Sequence, residues 1–411
     1  MTTRLILFRN ATIVDGTSPD RRERHHVLVE GGTIREVSDR PITAASADVL
    51  DLRGRTLMPG LIDCHVHVIA SLVNLSVVLS ESLMTLRALP ILRGMLERGF
   101  TTVRDAGGAD YGLAQAIEQG FAVGPRLFVP GKALSQTGGH GDSRSRFDDA
   151  PVHPRGRPGG LNRIADGVEA VRLAAREELR AGAHQVKVMA SGGVASPTDP
   201  IANTQYSRGE LTAVVEEAEA AQTYVMAHAY TAKAMRRAVE CGIRTIEHGN
   251  LVDDATAKLM AERGAYAVPT LVTYEALADE GASLGLPPDS VAKIADVRES
   301  GLRSLEIFRR AGVKMAYGTD LLGEMHRHQS SEFTIRSRVL SPFEVLRSAT
   351  TVAAEVLRME GRLGIVAPGA IADLLVVDGD PLSDLRVLLD QGAHLQMIMK
   401  TGTFYKNQLA S

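Results

Sequence analysis

Five times along the chain a helix-period stretch of apolar residues runs into a glycine, and a β-rich run follows within a few residues. Gly99 precedes Thr101 to Asp105, Gly182 precedes Gln185 to Met189, Gly242 precedes Arg244 to His248, Gly264 precedes Tyr266 to Leu271, and Gly312 precedes Val313 to Tyr317. A glycine in that place predicts a helix C′ residue with positive φ, which other residues reach only with strain. Start signals match: Asp166 stands ahead of Val168, Val171, Ala175 and Leu179, and Thr231 ahead of Ala232 to Cys241. Ser341, Pro342 and Glu344 supply an N-cap, an N1 proline and an N3 acid. Three further runs, Leu61 to Val68, Arg126 to Pro130 and Tyr224 to Ala229, bring the strands to eight, alternating with helices. That count, with polar residues gathered at the strand C-terminal ends, predicts a (β/α)8 TIM-like barrel. An open doubly wound sheet would read alike over any three units.

The two chain ends are patterned differently. Short alternating runs (Leu5 to Phe8, Ala11 to Val14, His26 to Glu30, Thr33 to Val37) are separated by Asn10, Asp15-Gly16 and Gly31-Gly32, which predicts antiparallel strands. Ala372 to Asp378 and Leu395 to Lys400 repeat the texture after Pro368-Gly369. Each end is too short to build a core alone. An α/β fold is therefore expected in which residues 1–56 and 366–411 form a small β-sandwich domain beside a barrel of residues 57–365. Four long polar segments, 131–164, 190–209, 272–289 and 321–341, follow predicted strands and are expected as loops around the site at that face. The apolar stretch Val68 to Leu79 reads either as a buried barrel helix or as an interface.

Composition narrows the function. With 44% hydrophobic and 23% charged residues, the 411-residue chain can bury a large core. Forty-six Lys+Arg against 49 Asp+Glu leave a formal charge of −3, so no basic field draws nucleic acid or anionic lipid. The stretch from Val68 to Ser80 falls short of the roughly 20 residues a bilayer span needs. Two cysteines, Cys64 and Cys241, make no disulfide framework, and Arg4 and Arg9 bracket too short an apolar run for a signal peptide. A cytoplasmic location is expected.

The polar residues at the strand ends carry the chemistry. His65-Val66-His67 ends the first barrel strand, where the period of two turns both imidazoles to the axis. Lys187 sits inside the apolar run Val186, Val188, Met189; His228 ends Val225-Met226-Ala227; His248 ends Thr245-Ile246-Glu247; Asp320 follows Gly318-Thr319. Five strands thus deliver potential metal ligands to one face. By the same alternation Cys64 should point outward, as packing, and Glu247 should face away from the metals.

At these residues the chain resembles the amidohydrolase superfamily, specifically its binuclear, carboxylated-lysine type. Pro59-Gly60-Leu61-Ile62-Asp63-Cys64-His65-Val66-His67 matches the first-strand signature, and Pro368-Gly369-Ala370-Ile371-Ala372-Asp373-Leu374 looks like the returning small-domain segment. Val186 to Gly193, His228-Ala229-Tyr230 and Glu247-His248-Gly249 look most like the imidazolonepropionase-related branch, which includes prolidases and carboxypeptidase-like amidohydrolases acting on Xaa-Pro dipeptides or N-acyl amino acids. The resemblance implies two divalent metal ions, for which zinc is the expected identity. His65, His67 and Asp320 would hold one, His228 and His248 the second, and Lys187, as N6-carboxylysine formed from carbon dioxide, would bridge them. An ammonium between two cations would be untenable, whereas a buried lysine is readily neutral and can form a carbamate.

The implied activity is amide hydrolysis by a metal-bridging hydroxide, with Asp320 as general acid/base. His140, in Gly138-Gly139-His140-Gly141-Asp142, is expected to stabilise the oxyanion. Tyr230 is the leading contact for a substrate carboxylate, with Arg144, Arg146 and Arg327 as further candidates, while His326 and His328 read equally as lid or surface. Lys187 argues against imidazolonepropionase itself and the mononuclear deaminases, which lack the bridging lysine; those deaminases also carry a glutamate where this chain has Thr231. The expected partner is a small molecule with a free carboxylate, neither nucleic acid nor membrane, and the resemblance implies a homo-oligomer. A cyclic-amide or carbamate hydrolase on the same metals, and a scaffold that has lost its chemistry, are the alternatives.

Overall fold

The computed structural model describes residues 4–409 other than 76, 78, 197, 198 and 287. The N-terminal strands β1 (Leu5–Ile13), β2 (Arg22–Glu30), β3 (Thr33–Ser38), β4 (Asp48–Asp51) and β5 (Thr56–Pro59) precede a run of parallel strands. These are β6 (Leu61–Val66), β7 (Phe100–Asp105), β8 (Arg126–Phe128), β9 (Ala133–Ser135), β10 (Asn162–Ile164), β11 (Val186–Met189), β12 (Val225–Thr231), β13 (Thr245–Leu251) and β14 (Tyr266–Val268). β15 (Leu374–Val377), β16 (Leu395–Lys400) and β17 (Thr403–Asn407) close the chain.

The end segments join as burial demands. One eight-stranded sheet runs β17-β16-β15-β5-β1-β2-β3, with β4 on β1. β5 is the stitch, parallel to β1 and antiparallel to β15. Ile6, Phe8, Val27, Val29, Leu374, Val376, Met397 and Met399 share one buried cluster drawn from both ends. Pairing is thus continuous through all eight strands, one sheet where the two sheets of a β-sandwich were expected. The chain passes from this sheet to β6 through Gly60, where a Cβ would lie 2.1 Å from Thr101 Oγ1, so no larger residue fits that crossing.

Parallel ladders link β6, β7 and β8, and then β11, β12, β13 and β14. The two sets meet where His184 N–H donates to Val129 O at 2.7 Å. Segment 313–317, expected as the eighth strand, is joined by an isolated bridge from Ala267 to Met315. Cys64 N–H then donates to Tyr317 O at 2.8 Å, so the pairings return to β6. Outside this ring lie α1 (Glu81–Glu97), α2 (Tyr111–Glu118), α3 (Val168–Arg180), α4 (Arg208–Ala220), α5 (Ala232–Glu240) and α6 (Asp254–Glu262). Apolar residues of α3 to α6 pack on the outer faces of β11 to β13.

Gly99, Gly182, Gly242, Gly264 and Gly312 all have positive φ, as their place after a helix predicts. Thr231 caps α5 through Ala234 N–H. Ser341 and Glu344 form a capping box on α10 (Pro342–Ser348), which follows α7 (Leu271–Ala276), α8 (Pro288–Ala311) and α9 (Ser331–Arg336) and precedes α11 (Thr351–Val356). Asp166 does not cap α3; Gly167 holds the N-cap position, and the Asp166 carboxylate instead accepts from Thr137 N–H and Oγ1.

Two expected loops are largely helical. Residues 272–289 contain α7 and a π turn over Leu277–Gly281, because Val272, Tyr274, Ala276 and Leu277 are buried while the acids stay toward water. Residues 321–341 contain a 3-10 turn, Gly323–His328, and α9. Segment 67–80 forms no helix among its described residues: these are irregular, with Val68, Ile69 and Val73 buried and Leu75 and Val77 exposed. Positions 76 and 78 of that stretch, 197 and 198 of the 190–209 loop, and 287 lie outside the described residues. Among the described residues no helix is long and apolar enough to cross a membrane.

Candidate metal centre

The ends of β6, β12 and β13 and the turn after segment 313–317 converge on one cavity of about 260 Å³, lined by His65, His67, Lys187, His228, His248 and Asp320. Asp320 is the hub. Its Oδ1 lies 3.4 Å from His65 Nε2 and 3.2 Å from His67 Nε2, and its Oδ2 lies 3.9 Å from His248 Nδ1. Burial pushes its carboxyl up, but His65, His67 and His248 together hold it well below the usual range. The backbone is tied to match: Asp320 has φ 53°, its N–H donates to His65 O at 2.8 Å, and its carbonyl accepts Thr273 Oγ1 at 2.8 Å.

Each of the four imidazoles has one nitrogen engaged by a protein oxygen. His65 Nδ1 meets Glu247 Oε2 at 2.7 Å, His67 Nδ1 meets Gly107 O at 3.2 Å, His228 Nε2 meets Gly192 O at 3.1 Å, and His248 Nδ1 meets Thr270 Oγ1 at 2.8 Å. Ligand histidines are held in this way, by an acceptor that fixes the ring and leaves the second nitrogen for a cation. Burial pushes His228 and His248 well below the ordinary imidazole value, for His248 against the pull of Asp320, which favours the neutral rings that act as ligands. Atoms of His65, His248 and Asp320 all lie within 4.8 Å of one another.

Lys187 is 1% exposed and forms no hydrogen bond or ion pair among the described residues. Burial pulls its amine down to about 8, against the opposing pull of Glu247 and Asp320. An amine that burial shifts toward its neutral form, facing a nitrogen- and oxygen-lined cavity, fits a carbamate-bridged divalent pair, and imidazole with carboxylate suits zinc.

His140 stacks on His228 with ring centres 4.2 Å apart, and its Nδ1 lies 2.9 Å from Ser196 Oγ. Gly193 makes this possible, since a Cβ there would sit 2.1 Å from the His140 ring. Burial depresses the His140 imidazole. Tyr230 stacks beside His248, centres 5.2 Å apart, and accepts a hydrogen bond from Tyr274 Oη at 2.8 Å, which leaves its own hydroxyl proton to be donated.

The arginines fare differently. Arg144 lines the cavity, but Nη2 and Nε are engaged by Asp142 at 2.7 and 2.9 Å. Arg327 does not reach the cavity; it is bound to Glu280 and to Glu324 O on the outer side of the 3-10 turn. Arg146 is not among the lining residues either. His326 is buried and pushed down to about 3 by burial and by Arg98, while His328 pairs with Glu280.

Glu247 corrects an expectation: it faces the ligands, because its carboxylate reaches His65. Left-handed His248, φ 71°, breaks the strand alternation, so neighbours 247 and 248 both turn inward. Cys64 packs as expected among Ile62, Val268 and Ala316, and burial raises its thiol to about 12. Two acids went unread in the sequence. Asp63 accepts from His65 N–H at 3.1 Å and Thr319 Oγ1 at 2.6 Å, and so ties β6 to the turn bearing Asp320. Asp105 accepts from Val68, Gly107 and Ala109 N–H, which fixes the backbone around His67. No local pattern marks either acid: Asp63 lies within β6, and Asp105 follows Thr101, Thr102 and Arg104 in β7.

A model of the amidohydrolase family matches residues 56–403. Ochratoxinase of Aspergillus niger is 34% identical over 369 residues, covering 85% of this chain and 75% of that enzyme. A crystal structure of a prolidase complexed with N-methylphosphonate-L-proline is 58% identical, with a TM-score of 0.97 over 98% of this chain and 100% of that one. A Xaa-Pro dipeptidase with methionine bound in its active site is 29% identical, with a TM-score of 0.88 over 98% and 100%.

Proposed function

Because the chain belongs to the amidohydrolase family, and so is a hydrolase acting on C–N bonds, we propose that it cleaves Xaa-Pro dipeptides or N-acyl amino acids at a binuclear zinc centre within a (β/α)8 barrel. The observation that carries the chemistry is the set of four imidazoles, each fixed through one nitrogen, around Asp320 and a bare, buried Lys187. The likeness to the prolidase supports the substrate class.

His65, His67 and Asp320 would hold one ion, His228 and His248 the other, with carboxylated Lys187 common to both. Divalent cations bound there polarise the scissile carbonyl and lower the pKa of water. Asp320, held as a carboxylate by three imidazoles, accepts the proton of the attacking water and delivers it to the departing nitrogen. His140, pressed against His228, would meet the developing oxyanion. Tyr230 donates its free hydroxyl proton to the substrate carboxylate.

The test is a panel of Xaa-Pro dipeptides and N-acyl amino acids beside hydantoin-like and carbamate substrates, on protein supplied with zinc and bicarbonate. Higher kcat/KM on the carboxylate-bearing amides is expected. Preference for the uncharged rings or carbamates would transfer the site to the cyclic-amide reading.

A further inference from the structure

Beneath the ligands lies a charged cluster for which the hydrolysis itself has no use. Arg104 and Glu247 are both fully buried. Arg104 Nη2 reaches Glu247 Oε1 and Oε2 at 2.9 and 3.0 Å, and Thr245 Oγ1 donates to Oε1 at 2.6 Å. Arg104 is itself anchored by Cys64 O at 2.7 Å, Thr245 Oγ1 at 3.2 Å and Tyr224 Oη at 3.4 Å. Stability does not account for such a pair, because desolvating two charges costs about what their attraction returns and apolar substitutes are often as good.

Its position gives it a use. Glu247 Oε2 meets His65 Nδ1 at 2.7 Å. A carboxylate bound to a guanidinium only accepts, so Nδ1 carries the proton and, in the neutral ring, Nε2 keeps its lone pair. That nitrogen points at Asp320 Oδ1, 3.4 Å away. Nitrogen and carboxylate oxygen at that spacing make a ligand pair once a cation is shared. The other three imidazoles lean on neutral acceptors, Gly107 O, Gly192 O and Thr270 Oγ1.

We propose that Glu247, fixed by Arg104, is a positioning residue that locks His65 in its Nδ1–H tautomer and makes its Nε2 the strongest donor to a metal ion among the four imidazoles. A charged acceptor raises the donor strength of the opposite nitrogen more than a neutral one does. The inference rests on reading His65 as a metal ligand.

Two measurements test it without relying on turnover. Neutron diffraction of the wild-type protein should show a deuteron on His65 Nδ1 directed at Glu247; a deuteron on Nε2 with none on Nδ1 would overturn the proposal. Zinc competition against a chelator should give a dissociation constant about 10- to 100-fold weaker for Glu247→Gln. Since that change strands Arg104, the Arg104→Met/Glu247→Gln double variant, which removes both charges, is measured beside it. A folded variant with wild-type zinc affinity overturns the proposal. A purely structural role would lower the unfolding midpoint and leave the zinc constant of the folded protein unmoved. Should neither variant fold, the deuteron position decides. A wild-type protein that binds no zinc would sink the metal reading, while the deuteron would still judge the tautomer.

Discussion

Replacing Lys187 by methionine should make the metal-free protein more stable while abolishing its activity. The wild-type amine falls from 10.5 to about 8 because burial strips its water, and Glu247 and Asp320 only partly compensate. The folded chain therefore binds this proton less tightly than the unfolded chain does. Stability consequently rises with pH between about 8 and 10.5, where the unfolded state holds more protons, and the full penalty applies below about pH 8. At about 1.4 kcal/mol per tenfold, the penalty at pH 7 is ~3 kcal/mol. Methionine has similar bulk and no charge, so the variant's unfolding midpoint should lie a few degrees higher at pH 7, with the gain fading toward pH 10.5. Activity of the same variant, supplied with zinc and bicarbonate, should fall at least about a thousandfold, since metal polarisation contributes several kcal/mol. Short carboxylic acids should restore part of it by standing in for the carbamate. The assay pairs thermal unfolding of chelator-stripped protein across pH with hydrolysis of a Xaa-Pro dipeptide. A stripped variant less stable than wild type at pH 7, or one with wild-type turnover, would refute the reasoning.

Asp320→Asn should lower kcat by about 10²- to 10⁴-fold, the usual worth of a general acid/base, with the acid limb of the pH–rate profile altered; an unchanged kcat would remove that role. Tyr230→Phe should raise KM about tenfold for substrates with a free carboxylate, the loss of one charge-assisted hydrogen bond, and leave their amide-capped analogues unaffected. Arg327→Ala should leave both constants within about twofold, as surface substitutions do, because its partners lie away from the cavity. Iodoacetamide at pH 8 should spare Cys64, whose buried thiol is raised to about 12, and peptide mapping would show a label there if the packing were otherwise.

Much of this was legible where local chemistry decides conformation. Gly99, Gly182, Gly242, Gly264 and Gly312 mark helix ends because positive φ is a backbone property glycine announces by itself. His65 and His67 both reach Asp320, as the period of two requires. The period failed at Glu247, where the left-handed backbone of His248 turns consecutive side chains the same way, and nothing in the residue types announces that φ. Residues 272–289 misled for another reason: Glu275, Asp279 and Glu280 made the segment look polar, but they occupy one face of a helix whose other face, Tyr274 and Leu277 included, is buried. Residue type does not reveal an arginine's partner, and only tertiary structure shows that Asp142 engages Arg144 and Glu280 engages Arg327. Asp63 reaches Thr319 Oγ1 and Asp105 reaches Val68 N–H, partners far along the chain that no local pattern encodes.

The central claim, a divalent pair bridged by carboxylated Lys187, is tested most directly by stripping the protein, reconstituting it with zinc and 13C-bicarbonate, and counting both in the washed product. The account predicts about two zinc ions and one labelled carbon per chain, with the carbon lost in Lys187→Met. A single zinc ion with no retained label, in protein that hydrolyses its substrate at full rate, would contradict it.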